Sequence, residues 1–248
     1  MKLTKKYFFI CGCARSGTTA LWKLMTAHPE VVVGMERFAG LVQHKFDLSD
    51  NLFNKDRFFD LYPNDTFYND LYVGIKGVYY KEVAQRYDKA LIYGDKIPSL
   101  YNHYKNLNSA FPDVKIIFIY RNIFDVAASF NERAAKAINW PATRDYKVAI
   151  DHWNKSLQST LHYIKSGGNV LCLEYEKLLW GGVDVELILN FFELKSYKSF
   201  DAKLNFLINK NKEFSANKID NLTADQKRYI ILNSDFQSYK NLIKLSSI

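Results

Sequence analysis

The residues from Tyr7 to Thr19, YFFICGCARSGTT, have the most chemically suggestive spacing in the chain. Gly12, four residues, then Gly17-Thr18-Thr19 nearly reproduces a phosphate-cradling loop. In such a loop, glycines let backbone N–H groups face an anion, and the following helix adds partial positive charge. The lysine that should follow the second glycine is Thr18, and a cation occurs three residues earlier, as Arg15. The stretch Ala14, Arg15, Ser16, Gly17, Thr18 and Thr19 therefore keeps the means to hold a phosphate-like group but neutralises it from another place. That argues against an ordinary Mg-ATP site. A plain strand-to-helix turn with incidental glycines is the bland alternative.

Three further candidates lie where strands are expected to end. Glu36 follows Val31–Val33, Lys96 follows Leu91–Tyr93, and Arg121 ends the run VKIIFIY. Open parallel sheets bind ligands at this carboxyl edge. On position alone, Glu36 fits a solvated glutamate opening a helix better than a reactive group, and Lys96 fits an ordinary surface lysine. Ser129, eight residues past Arg121 and about two turns into the next helix, is on the same footing.

The elements that would position these residues alternate between strand and helix. The spacing predicts strands over Tyr7–Cys11, Val31–Val33, Leu91–Tyr93, Val114–Tyr120 and Val170–Leu173. The near-continuous apolar run of the fourth implies burial on both faces, as in a parallel sheet. Helices are expected after Thr19, over 76–90, from Pro98 through Leu107, from Ile123 to about Ala137 with Asn122 and Asp125 as caps, over Arg144–Ile164, and over Val183–Phe192. Residues 37–70, rich in Phe, Tyr, Asp and Asn with a turn at Pro63-Asn64-Asp65, suggest two more helices and an acceptor pocket or lid. The polar stretch Asn209–Asn217 reads as a loop, and an amphipathic helix pair runs from Leu222 to about Leu245. No repeat or linker interrupts this pattern, so residues 1–248 are expected to form one α/β domain with a central parallel sheet flanked by helices.

Composition narrows the class. With 248 residues, 48% hydrophobic and 24% charged, the chain suits one globular domain. Its net charge of +8 favours an anionic ligand or surface, yet no long basic block suggests a nucleic-acid partner. Cys11, Cys13 and Cys172 are too few and too scattered for a disulfide framework or a zinc site, so no metal is expected. No apolar run approaches a membrane span, and the basic start MKLTKK leads into too short an apolar stretch for a signal peptide. A cytoplasmic protein is the expectation.

The segments CARSGTTALWKLMTAHPEVVVGMERF, GDKIPSLY and IIFIYRNIFDVAASF, in this order, resemble the sulfotransferases that use 3′-phosphoadenosine 5′-phosphosulfate (PAPS). The first segment is most similar to the tyrosylprotein and bacterial carbohydrate branches, and the resemblance runs from residue 6 to about residue 180. It implies a P-loop-like sulfotransferase fold and transfer of a sulfuryl group to a hydroxyl on a carbohydrate, glycolipid or small metabolite. It also implies roles: Ala14–Thr19 wraps the 5′-phosphosulfate, Arg15 meets the bridging and transferring oxygens, and Arg121 and Ser129 hold the 3′-phosphate. Lys96 would stabilise the transferring group, and Glu36 falls where the glutamate-using branches place their general base. The small-molecule branch uses a histidine instead, for which His103 is the second choice. That branch's glycine-rich cofactor cover is not evident, and Lys210 and Lys212 are candidates to replace it.

Two other readings remain open at this stage. A P-loop kinase with a shifted cation would need a Mg ligand, for which Asp95 is the fair candidate. A non-catalytic anion or nucleic-acid binder would use the +8 charge and no reactive carboxylate.

Overall fold

The computed structural model describes residues 5–43, 45–62, 65–67, 77–136, 140–182, 185–214 and 218–245. Five strands form one sheet: β1 Lys6–Cys11, β2 Val31–Met35, β3 Ile92–Lys96, β4 Lys115–Tyr120 and β5 Val170–Glu174. Their order is β2-β3-β1-β4-β5, and every neighbouring pair is parallel. All five strands therefore end at one edge, where the loops carrying Arg15, Glu36, Lys96 and Arg121 emerge.

The strand residues alternate between two cores. Phe9, Cys11, Val32, Ile116 and Phe118 point to one face, while Phe8, Ile10, Val33, Ile117 and Ile119 point to the other. A period of two with both faces apolar is what a sheet covered on both sides requires. Helices α1 (Thr18–Met25), α6 (Tyr175–Trp180), α7 (Val185–Phe192) and α8 (Lys198–Phe214) cover the second face. Between them in sequence lie α2 (Val78–Arg86) and α3 (Tyr104–Ala110), with α4 (Ile123–Lys136) and α5 (Tyr146–Lys165) on the first face. Helices α9 (Ala224–Asn233) and α10 (Phe236–Leu245) pack on α5. Among the described residues, no helix is long and apolar enough to cross a membrane. The three cysteines are buried and free, and burial pushes each thiol up to about 12.

The structure moves several expected boundaries. Strand β3 extends through Asp95 and Lys96, and β2 through Met35, because each gains a parallel partner that propensity alone does not reveal. The helix expected from Pro98 is broken at His103 into a single tight turn, Pro98–Asn102, and α3. The two helices expected within 37–70 are present as short ones, Gly40–Gln43 and Lys55–Phe59, with a 3₁₀ turn at Asp50–Phe53 between them. Asn122 does cap α4, accepting from the Phe124 amide at 2.9 Å, but Asp125 turns to Arg121 instead. The expected starts at residues 76 and 183, the end at Ala137, and the turn at Pro63-Asn64 lie outside the described residues.

The largest correction concerns Asn209–Asn217. Helix α8 runs through Phe214, so residues 209–214 are helical rather than a loop, and residues 215–217 of that expectation lie outside the described residues. Phe200, Leu204 and Leu207, four and three residues apart, form a buried stripe against the second core. Burial of one face carries a helix that composition disfavours. Phe200 is fully buried, and removing such a ring costs about 3–5 kcal/mol. Phe200→Ala should therefore lower the unfolding free energy by about that amount in a denaturant titration. A loss below about 1 kcal/mol would contradict the packing of α8.

Candidate active site

The register of the sheet builds the site. Met35 of β2 lies beside Lys96 of β3, and Ile10 of β1 lies on the other side of Lys96. Glu36, the next residue along, donates its amide to the Lys96 carbonyl at 2.9 Å. The two side chains meet: Lys96 Nζ donates to Glu36 Oε1 at 2.5 Å. Lys96 is 1% exposed, so its charge is held in a poorly solvated place by this carboxylate.

Glu36 adopts φ 53°, a left-handed conformation that a non-glycine residue keeps only where its surroundings impose it. Asp95 supplies much of that constraint. Its two carboxylate oxygens accept from the amides of Arg37, at 3.1 Å, and Phe38, at 2.8 Å. Burial pushes the Asp95 carboxyl up to about 7, against the pull of the two amides and of Lys96. The side chain of Arg37 is anchored in turn, with Nη1 2.6 Å from Asp65 Oδ1 and Nε donating to the Phe58 carbonyl at 2.9 Å. Arg57 closes on the other oxygen of Asp65 at 2.6 Å. Asp95, the Mg-ligand candidate of the kinase reading, is thus fully buried and turned to the chain's own amides.

The loop after β1 faces this pair. Gly12 (φ 154°) leaves no room for a Cβ, which would lie 2.2 Å from the Ile119 carbonyl oxygen. Gly17 (φ 100°) caps α1, and a Cβ there would lie 2.2 Å from the Tyr175 ring. Arg15 is also left-handed, at φ 70°, and its Nε donates to Ser129 Oγ at 2.8 Å. Ser16 is fully buried, and its Oγ has no hydrogen-bond partner among the described residues. A buried hydroxyl donor left open, beside a helix N-terminus, suits an anion's oxygen.

Ala14, Arg15, Thr18 and Thr19 line a cavity of about 690 Å³ together with Glu36 and Lys96. Arg121 is not in that lining. It lies over the Tyr175 ring, 4.1 Å from its centroid, with Asp125 at 3.4 Å and Glu176 at 3.9 Å. Its buried Nε has no hydrogen-bond partner among the described residues. Because Tyr175 touches Gly17, Arg121 borders the loop across that ring. The Trp153 indole fixes the Arg121 backbone by donating to its carbonyl at 2.8 Å.

His103 does not line the cavity; it packs on Phe46, with ring centroids 5.9 Å apart. Lys210 and Lys212 are exposed on α8, beside Asn211, whose side-chain oxygen accepts from the Tyr175 hydroxyl at 3.2 Å. That contact brings α8 next to the loop. Sequence reasoning missed the far wall of the cavity, formed by Arg133, Trp140, Arg144, His152 and Lys155. Only Arg133 had a signal, lying one helical turn beyond Ser129. Burial holds His152 below the usual imidazole range, helped by Arg144 and opposed by Asp151.

Comparisons with known proteins agree with this fold. A model of the sulfotransferase family matches residues 8–195, and the chain belongs to that family. The mouse sulfotransferase SULT7A1 complexed with PAP superposes with a TM-score of 0.56 at 16% identity, covering 97% of this chain and 89% of that one. The sulfotransferase domain of the Synechococcus PCC 7002 olefin synthase gives 0.54 at 17% identity, covering 87% and 79%. The sulfotransferase domain from the curacin biosynthetic pathway gives 0.53 at 18%, covering 79% and 77%. At these identities the likeness is one of fold. No curated protein matches the chain in sequence.

Asp95 offers a test of how the site is held. A buried amide left without an acceptor costs about 1–3 kcal/mol, and Asp95→Ala strands two. The variant should lose about 2 kcal/mol or more of unfolding free energy, read by denaturant titration. A neutral result would mean that Asp95 does not brace the Glu36 turn.

Proposed function

We propose that this chain transfers the sulfuryl group of PAPS to a hydroxyl acceptor, with Glu36 as the general base. The observation that carries the proposal is the convergence of Glu36, Lys96 and Arg15 on one cavity at the mouth of the glycine loop. The donor, when bound, supplies an activated sulfuryl group on a phosphate leaving group. Residues present here suit its anionic parts: the loop Ala14–Thr19 with the open Ser16 hydroxyl, and Arg121 with Ser129 for the second phosphate. The mouse neighbour is complexed with PAP, which supports the same choice of nucleotide.

The chemistry asked of the protein is positioning and charge stabilisation. Glu36 Oε would take the proton of the acceptor hydroxyl as its oxygen becomes nucleophilic. Lys96 Nζ, already at the carboxylate, would stabilise negative charge growing on the transferring oxygens, and Arg15 would offer a planar fork to the same charge. The ion pair holds the Glu36 carboxylate and the Lys96 ammonium side by side before reactants arrive. A kinase reading has no comparable support, since Thr18 replaces its lysine and Asp95 is engaged with backbone amides.

Removing a general base commonly slows turnover by about 10²–10⁴-fold. Glu36→Gln should show such a loss in PAP release from PAPS plus acceptor while PAP binding persists; a near-normal rate would displace Glu36 from the role. Arg121→Ala should weaken PAP more than adenosine 5′-monophosphate in a calorimetric titration. Equal losses would detach Arg121 from the 3′-phosphate.

A further inference from the structure

The part of the cavity lining that comes from α4, α5 and the segment between them is cationic, and its arginines and lysine form no ion pair among the described residues. Arg133 projects from α4, Lys155 and His152 from α5, and Arg144 from the segment between them. None of the three cations forms an ion pair among the described residues, and Glu36 is the one carboxylate in the described lining. Arg144 is held in place rather than loose. Its guanidinium lies 4.3 Å from the Trp140 ring centroid, and the Trp140 indole donates to the Arg144 carbonyl at 2.8 Å. A fixed, half-buried guanidinium beside an aromatic face is a site for an anionic group attached to a flat or ring-shaped body.

We propose that the acceptor is itself anionic: a hydroxyl compound bearing a carboxylate, phosphate or sulfate group, which Arg133, Arg144 and Lys155 bind while its hydroxyl is turned to Glu36. This deepens the proposed sulfuryl transfer and rests on it. The groups suited to the donor's charges, the glycine loop with Ser129 and Arg121 behind Tyr175, are distinct from Arg133, Arg144 and Lys155, so these three cations are left over for another anion. A neutral acceptor would leave these three like charges on the lining with no ion-pair partner among the described residues.

The test is a calorimetric titration without PAPS, using 4-nitrophenyl β-D-glucuronide and 4-nitrophenyl β-D-glucoside, which differ by one carboxylate. One charge-assisted contact suffices for a preference of about tenfold, so the glucuronide should bind at least about tenfold more tightly at low salt. The Arg133→Gln/Lys155→Gln double variant alters two exposed side chains, so its fold should persist. It should lose most of that preference while its affinity for PAP stays unchanged. Equal binding of the two sugars, binding of neither, or a parallel loss of PAP affinity in the variant would overturn the proposal. PAP affinity, measured separately, reports on the sulfuryl-transfer reading itself, so the two ideas fail by different results.

Discussion

Parallel pairing of Val31–Met35 with Ile92–Lys96 is the constraint on which the site depends. It puts Met35 beside Lys96, so the next residue out, Glu36, has to turn at the strand's end with its carboxylate against the lysine. A parallel ladder fixes this register along its whole length, and a slip of one residue would send each side chain to the opposite face. The apolar alternation of Val31 and Val33 against Val32 forbids that slip, because each set belongs to a different core. Hydrophobic burial several residues away thus sets a polar contact at 2.5 Å.

A second layer turns that placement into a defined geometry. Left-handed residues such as Arg15 and Glu36 need neighbours that leave no alternative. For Glu36 these are the Lys96 carbonyl, the buried Asp95 carboxylate and the Arg37–Asp65–Arg57 cluster. Backbone strain alone does not mark a site, since Glu193, on the turn after α7, has φ 58° and lies outside this cavity. Strain that coincides with a buried cation and an open hydroxyl is the informative combination.

Much of this was legible in the sequence because it depended on local spacing. The apolar runs announced the strands, and the glycines before and after Arg15 announced the loop. Glu36, Lys96 and Arg121 gained weight from the family resemblance, and Glu36 and Lys96 do meet in space. What stayed hidden depended on tertiary contacts. Asp95 read as the candidate Mg ligand after a strand, whereas the strand extends through it, pairs with β2 and buries it. The end of α8, from Asn209, read as a loop because it is polar, and the apolar stripe that docks the helix, Phe200, Leu204 and Leu207, lies before it. Trp140 and Arg144 lie between α4 and α5, and His152 and Lys155 on α5, and no short-range pattern links them to Glu36. Tyr175 opens α6, and no local pattern shows that its ring is wedged between Gly17 and Arg121.

On the proposed function, one edge of the sheet grips a doubly phosphorylated adenosine at both ends, beside the Glu36–Lys96 pair. A crystal structure with adenosine 3′,5′-bisphosphate tests this most directly. It should show the 5′-phosphate on the amides of the Arg15–Thr19 loop and on the Ser16 hydroxyl, with the 3′-phosphate reached by Arg121 and Ser129. Density for the nucleotide at the amino ends of the strands, or with neither phosphate touching that loop, would contradict it.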